Sequence, residues 1–319
     1  MSVPITKPPV AVIGAGLIGS AWAFGFARAG HAVALFDQDK QAARAAQARV
    51  ADIATDMQAE GLLDDQSPTT IAARVTVATD LETCVKNALH VQENVSENID
   101  VKRSVFAALD GAAHPDAVLA SSTSALLPSR FTEALPGRSR CLVAHPINPP
   151  SLIPAVEIVP APWTDAATMD RCAATMAGIG QKPIRMTREI DGFIMNRLQG
   201  ALLQEAMRLV AEGFASPEDI DTGIRDGLAP RWSLCGPFEA IDLNAPGGVR
   251  DYVARYGPMY RIIGARQTTL PDWEGETLDR VEAARRAALP LADLPKAQAR
   301  RDRRLMALMA HFRREKPLN

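Results

Sequence analysis

Short apolar runs recur along the chain up to about residue 190, and most are followed by a longer stretch whose apolar positions return at helical spacing. Residues 10–13, 32–36, 75–78, 88–92, 117–120, 141–144 and 156–159 are strand candidates, and 183–186 is one more. Between them, residues 20–29, 38–60 and 99–109 read as helices, and Asp80 stands where it could cap another. Strand and helix in alternation predict a mostly parallel sheet with helices on both faces. In such sheets ligands bind beyond the carboxyl ends of the strands. Glu93, Glu97, Ser124, His145 and Asn148 all follow a strand candidate.

The pattern changes at Asp191-Gly192. From there residues 193–212, 221–227, 237–244, 248–263, 276–288 and 296–314 read as helices with no strand between them. Ser216-Pro-Glu-Asp219 is a helix start, with a capping hydroxyl and proline at the first helical position. The expected fold is α/β: a Rossmann-like, doubly wound, mostly parallel sheet over residues 1–190, followed by an all-α domain over 191–319. From about 266 to 319 the helical part is rich in arginine, and Arg300, Arg301, Arg303, Arg304, Arg313 and Arg314 suggest a solvated or inter-subunit basic face.

Composition narrows the function classes. A chain of 319 residues has room for two domains. Its formal net charge of −2 implies no general attraction to nucleic acid or to an anionic membrane. No apolar run approaches the roughly 20 residues that span a bilayer, and the N-terminus lacks a charged segment followed by an apolar one. Cys84, Cys141, Cys172 and Cys235 are widely spaced, as free thiols in a reducing cytoplasm would be. No metal-ligand spacing is present, and no metal is expected.

The chemistry begins at Val10-Ala-Val-Ile-Gly-Ala-Gly-Leu-Ile-Gly19, a strand running into G-x-G-x-x-G and a helix. Gly14 would make the tight turn, Gly16 would let a pyrophosphate approach the backbone, and Gly19 would let helix and strand pack closely. With Leu17 and Ile18 at the helix N-terminus, free N–H groups face the phosphates. Asp37 follows the next strand candidate, near the spacing of an acid that holds a ribose 2′-hydroxyl. A carboxylate there would repel a 2′-phosphate, so the expected cofactor is NAD and not NADP. Oxidising a secondary alcohol with NAD also needs a base near neutral pKa. His145 closes a strand candidate, and Glu157, on the next one, could face the same imidazole.

These stretches, with Gln92-Glu-Asn-Val-Ser-Glu-Asn98, Ser121-Ser-Thr-Ser124, Ala144-His-Pro-Ile-Asn148 and Asp191-Gly-Phe-Ile-Met-Asn-Arg197, resemble the 3-hydroxyacyl-CoA dehydrogenase superfamily over roughly residues 8–265. The closer resemblance is to its λ-crystallin / L-gulonate 3-dehydrogenase branch. It implies an NAD-dependent enzyme with His145 as acid–base and Glu157 as its partner. It implies Ser124 and Asn196 near the reacting oxygen, Glu97 and Lys102 at cofactor-contact positions, Glu93 in support and Asn148 on the substrate side. It also implies a homodimer.

Arg231-Trp232 precedes a family-like Gly-Pro-Phe-Glu helix start. A guanidinium binds a free carboxylate through two parallel hydrogen bonds, which a thioester could not accept. Between residues 60 and 79 the only basic residue is Arg74, so no lysine-rich loop awaits a CoA phosphate. A small-molecule 3-hydroxy acid resembling L-gulonate is therefore the expected substrate. A short-chain 3-hydroxyacyl-CoA, a carnitine-type or diketo-ester substrate, and a crystallin-like structural role are the alternatives.

Overall fold

The computed structural model describes residues 7–314. Residues 1–6, on which much of the expectation about a leader rests, and 315–319 lie outside the described residues. The chain divides into two compact units, one ending at Ile194 and the next beginning at Met195.

The first unit is an eight-stranded sheet: β1 (Lys7–Ile13), β2 (His31–Phe36), β3 (Val75–Val77), β4 (His90–Glu93), β5 (Val118–Ser121), β6 (Cys141–Pro146), β7 (Ala155–Pro160) and β8 (Lys182–Arg185). The spatial order is β3-β2-β1-β4-β5-β6-β7-β8. Its helices are α1 (Leu17–Arg28), α2 (Lys40–Ala59), α3 (Pro68–Ala72), α4 (Leu81–Val85), α5 (Ile99–Ala112), α6 (Ser129–Thr132) and α7 (Ala166–Gly178). All eight strand candidates are present. Every residue of β4, β5 and β6 is buried, as expected of strands covered on both faces, and this is why each reads as a near-continuous run in the sequence. Beneath them Phe106 of α5 and Phe131 of α6 meet edge to face at 4.8 Å, in a core with Val91, Leu119 and Val143.

The sheet departs from the parallel expectation once: β7 pairs antiparallel with β6. The link between them, residues 147–154, is too short for the crossover of a dozen or more residues that parallel neighbours need. From β7 the chain returns through α7, and β8 is parallel to β7. The helix α7 is absent from the sequence reading because its Ala-, Thr- and Met-rich face contrasts weakly with its solvent face. Asp80 caps α4, its Oδ1 accepting from Thr83 N at 2.7 Å.

His90 opens β4 and is 2 % exposed. Its Nε2 donates to Gln92 Oε1 at 3.0 Å, and desolvation pushes its pKa down to about 4. The unfolded chain therefore binds this proton more tightly than the folded one. The stability that neutral His90 contributes is complete above pH 6.5 and is lost as pH falls from 6.5 toward 4, reaching about 3 kcal/mol. Buried His31, lowered chiefly by desolvation, adds in the same direction. Urea unfolding from pH 7 to pH 4 should show a steep loss in the natural chain and a shallower one in His90→Gln. Equal slopes would refute the assignment.

The second unit is helical: α8 (Met195–Ala211), α9 (Pro217–Thr222), a π-helical turn (Gly223–Leu228), α10 (Ala229–Trp232), α11 (Pro237–Leu243), α12 (Gly248–Arg266), α13 (Gly275–Ala288) and α14 (Leu294–Arg314). Ser216 caps α9 as its sequence position predicts, accepting from Asp219 N at 3.1 Å. Few apolar side chains of this unit are buried, whereas Phe214, Phe238, Leu243 and Leu270 are all more than 70 % exposed. Among the described residues no helix is long and apolar enough to cross a membrane, and no cluster of side chains could hold a metal ion.

Candidate active site

The glycine turn at the end of β1 is built by steric necessity. Gly14 sits at φ +91°, and a Cβ on it would lie 2.7 Å from the Asn94 backbone. A Cβ on Gly19 would lie 1.9 Å from the Gly14 carbonyl oxygen, so this glycine protects the turn itself as well as the packing of helix on strand. Around Gly16 there is open space within 4 Å, the clearance a pyrophosphate needs. Gly16 caps α1 without a side-chain bond, and no acidic residue occupies the first turn. The positive end of α1 thus remains available to an anion.

Asp37 lies just beyond β2, where Oδ2 accepts from Ala15 N at 2.7 Å and Oδ1 from Asp39 N at 2.9 Å. A cavity of about 380 Å³ opens here, lined by Gly14, Gly16, Asp37, Leu81, Val101 and Val105 among others. Its apolar wall on α4 and α5 suits an adenine, and its carboxylate suits a ribose. Leu17, 75 % exposed, half-buried Ile18 and buried Gly19 form the first turn of α1 and are not part of that lining.

Glu97 and Lys102 do not line this cavity either. The Lys102 ammonium is 1 % exposed and bonds both oxygens of the fully buried Glu93, at 3.0 and 3.1 Å. Glu93 also accepts from Val95 N at 2.6 Å and from the Ser121 hydroxyl at 2.5 Å. This pair ties the end of β4 to α5 and β5. Glu93, expected only in support, is the hub of these bonds, and the Lys102 ammonium also lies 3.9 Å from Glu97 Oε2. Glu97 accepts from the Thr123 hydroxyl and from Ala125 N, which fixes the loop carrying Ser124.

The antiparallel step in the sheet builds the other half of the site. His145 and Glu157 are directly opposed partners on β6 and β7. His145 Nδ1 bonds Glu157 Oε2 at 2.6 Å, with both side chains buried. A carboxylate on Nδ1 holds the proton there and presents Nε2 as the basic nitrogen. The second oxygen of Glu157 accepts from Ile194 N at 2.7 Å. His145 lies within its strand and not after it, because pairing with β7 extends β6 to Pro146.

Ser124 and Asn148 are exposed in the loops beyond the carboxyl ends of β5 and β6. Asn196, half-buried in the first turn of α8, and exposed Arg231, in α10, belong to the second unit. The structure brings His145 and Glu157 together and gathers Gly14, Gly16 and Asp37 around one cavity. Ser121, Asn94 and Phe193 were missed in the sequence. For Ser121 and Asn94 the available signal was a polar residue at the end of a buried strand; Phe193 carried none.

The family model of the 3-hydroxyacyl-CoA dehydrogenase NAD-binding domain matches residues 9–190, and that of the C-terminal domain matches 192–269. The λ-crystallin of Oryctolagus cuniculus is 40% identical over 294 residues, covering 92% of each chain. An L-carnitine dehydrogenase of Pseudomonas putida is 36% identical over 253 residues, 79% of this chain and 78% of its own. Among solved structures, an NAD+-dependent 5-formyl-3-hydroxy-2-methylpyridine 4-carboxylic acid 5-dehydrogenase superposes with a TM-score of 0.80 at 26% identity, covering 97% of this chain and 98% of its own.

Proposed function

The chain belongs to the 3-hydroxyacyl-CoA dehydrogenase family and carries its NAD-binding domain, and from that premise we propose that it oxidises the 3-hydroxyl of a free, L-gulonate-like 3-hydroxy acid to the 3-keto acid. The observation that carries the chemistry is the buried His145–Glu157 pair at 2.6 Å. NAD, when bound, accepts the hydride from the alcohol carbon. His145 Nε2 takes the hydroxyl proton, and Glu157 stabilises the imidazolium that results. Ser124 and Asn196 are assigned to the reacting oxygen and Asn148 to the substrate chain. Gly14, Gly16, Leu17, Ile18, Gly19 and Asp37 are assigned to the cofactor, with Glu97 beside them. Residues 1–190 serve as the cofactor domain and 191–319 as the substrate and dimerisation domain in this reading.

The choice of a free acid rests on Arg231. A carboxylate would accept two parallel hydrogen bonds from its guanidinium. The L-carnitine dehydrogenase named above fits this choice, since carnitine is itself a free 3-hydroxy carboxylate. A homodimer through the helical unit fits its exposed phenylalanines and leucines. A reducing compartment fits four free cysteines, of which Cys84, Cys141 and Cys172 are buried with thiol pKa values pushed up to about 12 by desolvation.

The test is NADH absorbance over matched free and CoA-linked 3-hydroxy acids. Free acids should be oxidised with the higher kcat/KM, and Arg231→Met should raise their KM about 10-fold or more, the loss of a charge-assisted bond. Preference for the thioester would reassign the chain to acyl-CoA chemistry. NADH formation from none of them would favour a structural protein on this scaffold.

A further inference from the structure

We propose that Phe193 is a positioning residue for the His145–Glu157 pair, acting through its backbone on the carboxylate and through its ring on the imidazole. The inference rests on the reading of His145 as the acid–base group.

A carboxylate at the end of a glutamate turns easily about its last bond. The hydrogen bond to His145 fixes one oxygen of Glu157. Its second oxygen is held by Ile194 N at 2.7 Å, and the two bonds together fix the plane of the carboxylate. Ile194 reaches that oxygen because the chain turns left-handed just before it. Gly192 lies at φ +77° and Phe193 at φ +49°, and Phe193 N closes the turn on Ile190 O at 3.0 Å. The sequence reading of a helix from residue 193 is corrected here: α8 starts at Met195.

Glycine adopts this backbone freely, whereas a bulky residue is rarely found in it. Glycine at 193 would therefore be the easier choice for the turn alone. The side chain that stands there instead is fully buried, and its ring centroid is 5.5 Å from that of His145 at an interplanar angle of 56°. The ring walls one side of the imidazole and limits its tilt. Strained backbone at a functional group persists where the surroundings over-determine it. Here the same residue delivers the N–H that aims Glu157 and the wall that aims His145.

The full chain carrying Phe193→Leu tests this, with Phe193→Tyr as the conservative variant. Phe193→Leu should lower kcat about 10- to 100-fold, the usual consequence of small misplacement at a reacting centre. NADH binding by fluorescence should stay within about 2-fold, because a shift of that size is a negligible binding change. The low-field proton resonance of His145 Nδ1–H should move, and Phe193→Tyr should restore most of kcat and the resonance. Phe193→Leu that binds NADH, keeps wild-type kcat and leaves the resonance in place would overturn the proposal. Should Phe193→Leu fail to fold, replacing Ile194 by its α-hydroxy acid deletes only the N–H, and undiminished kcat there would overturn it equally. His145→Asn separates the two ideas. If His145→Asn is inactive while Phe193→Leu is fully active, only the role of Phe193 falls; if His145→Asn is active, the acid–base reading falls first.

Discussion

Replacing His145 by Asn is expected to lower kcat by about 10²- to 10⁴-fold, the range contributed by a positioned proton acceptor, or about 3–5 kcal/mol in the barrier. Asparagine is the informative substitution. Its amide can still donate to Glu157 Oε2, which His145 Nδ1 contacts at 2.6 Å, so the buried carboxylate keeps a partner. What disappears is the second ring nitrogen, the atom to which we assign the hydroxyl proton. The glycine turn and Asp37 follow other strands, β1 and β2, so NADH affinity should be unchanged. Steady-state kinetics with a free 3-hydroxy acid, alongside an NADH titration, decide it. A variant with wild-type kcat would remove His145 from the chemistry. One with weakened NADH binding would assign the residue to the cofactor instead.

Lys102→Met should cost about 3–5 kcal/mol of folding stability, the penalty for stranding one member of a buried ion pair. Glu93 is fully buried and Lys102 nearly so, and the ammonium touches both carboxylate oxygens. Methionine fills much of the volume but leaves Glu93 with only the Ser121 hydroxyl and Val95 N. Adding Glu93→Gln should recover more than half of the loss, because a neutral amide oxygen can still accept from those donors. Chemical denaturation of both variants at pH 7 measures this. A loss below about 1 kcal/mol in Lys102→Met would place the pair among weak surface-like contacts, and the β4–α5 junction would need another explanation.

The strands were legible because the sheet is buried on both faces and leaves apolar runs in the sequence. The cofactor turn was legible because a pyrophosphate against backbone demands glycine, at Gly14, Gly16 and Gly19. His145 and Glu157 were legible as a pair on adjacent strand candidates. The reason they meet was not, since strand direction depends on the length and path of residues 147–154. Lys102 shows another limit: a sequence position says where a long side chain starts and not where its charge ends. Phe193 shows a third, for its apolar character fits a helix equally well. Only the left-handed turn after Gly192 shows otherwise.

One consequence of the antiparallel β6–β7 step concerns how such a chain can diversify. His145 and Glu157 are opposed by register, and sliding either strand by one residue would turn its side chain to the opposite face of the sheet. The eight-residue bend joining those strands, where Asn148 sits, carries no such constraint. Insertions and deletions should therefore accumulate in that bend and be purged from the strands beside it. On the proposed chemistry, related chains would exchange one hydroxy acid for another by remodelling the bend while the His145–Glu157 pair stays untouched.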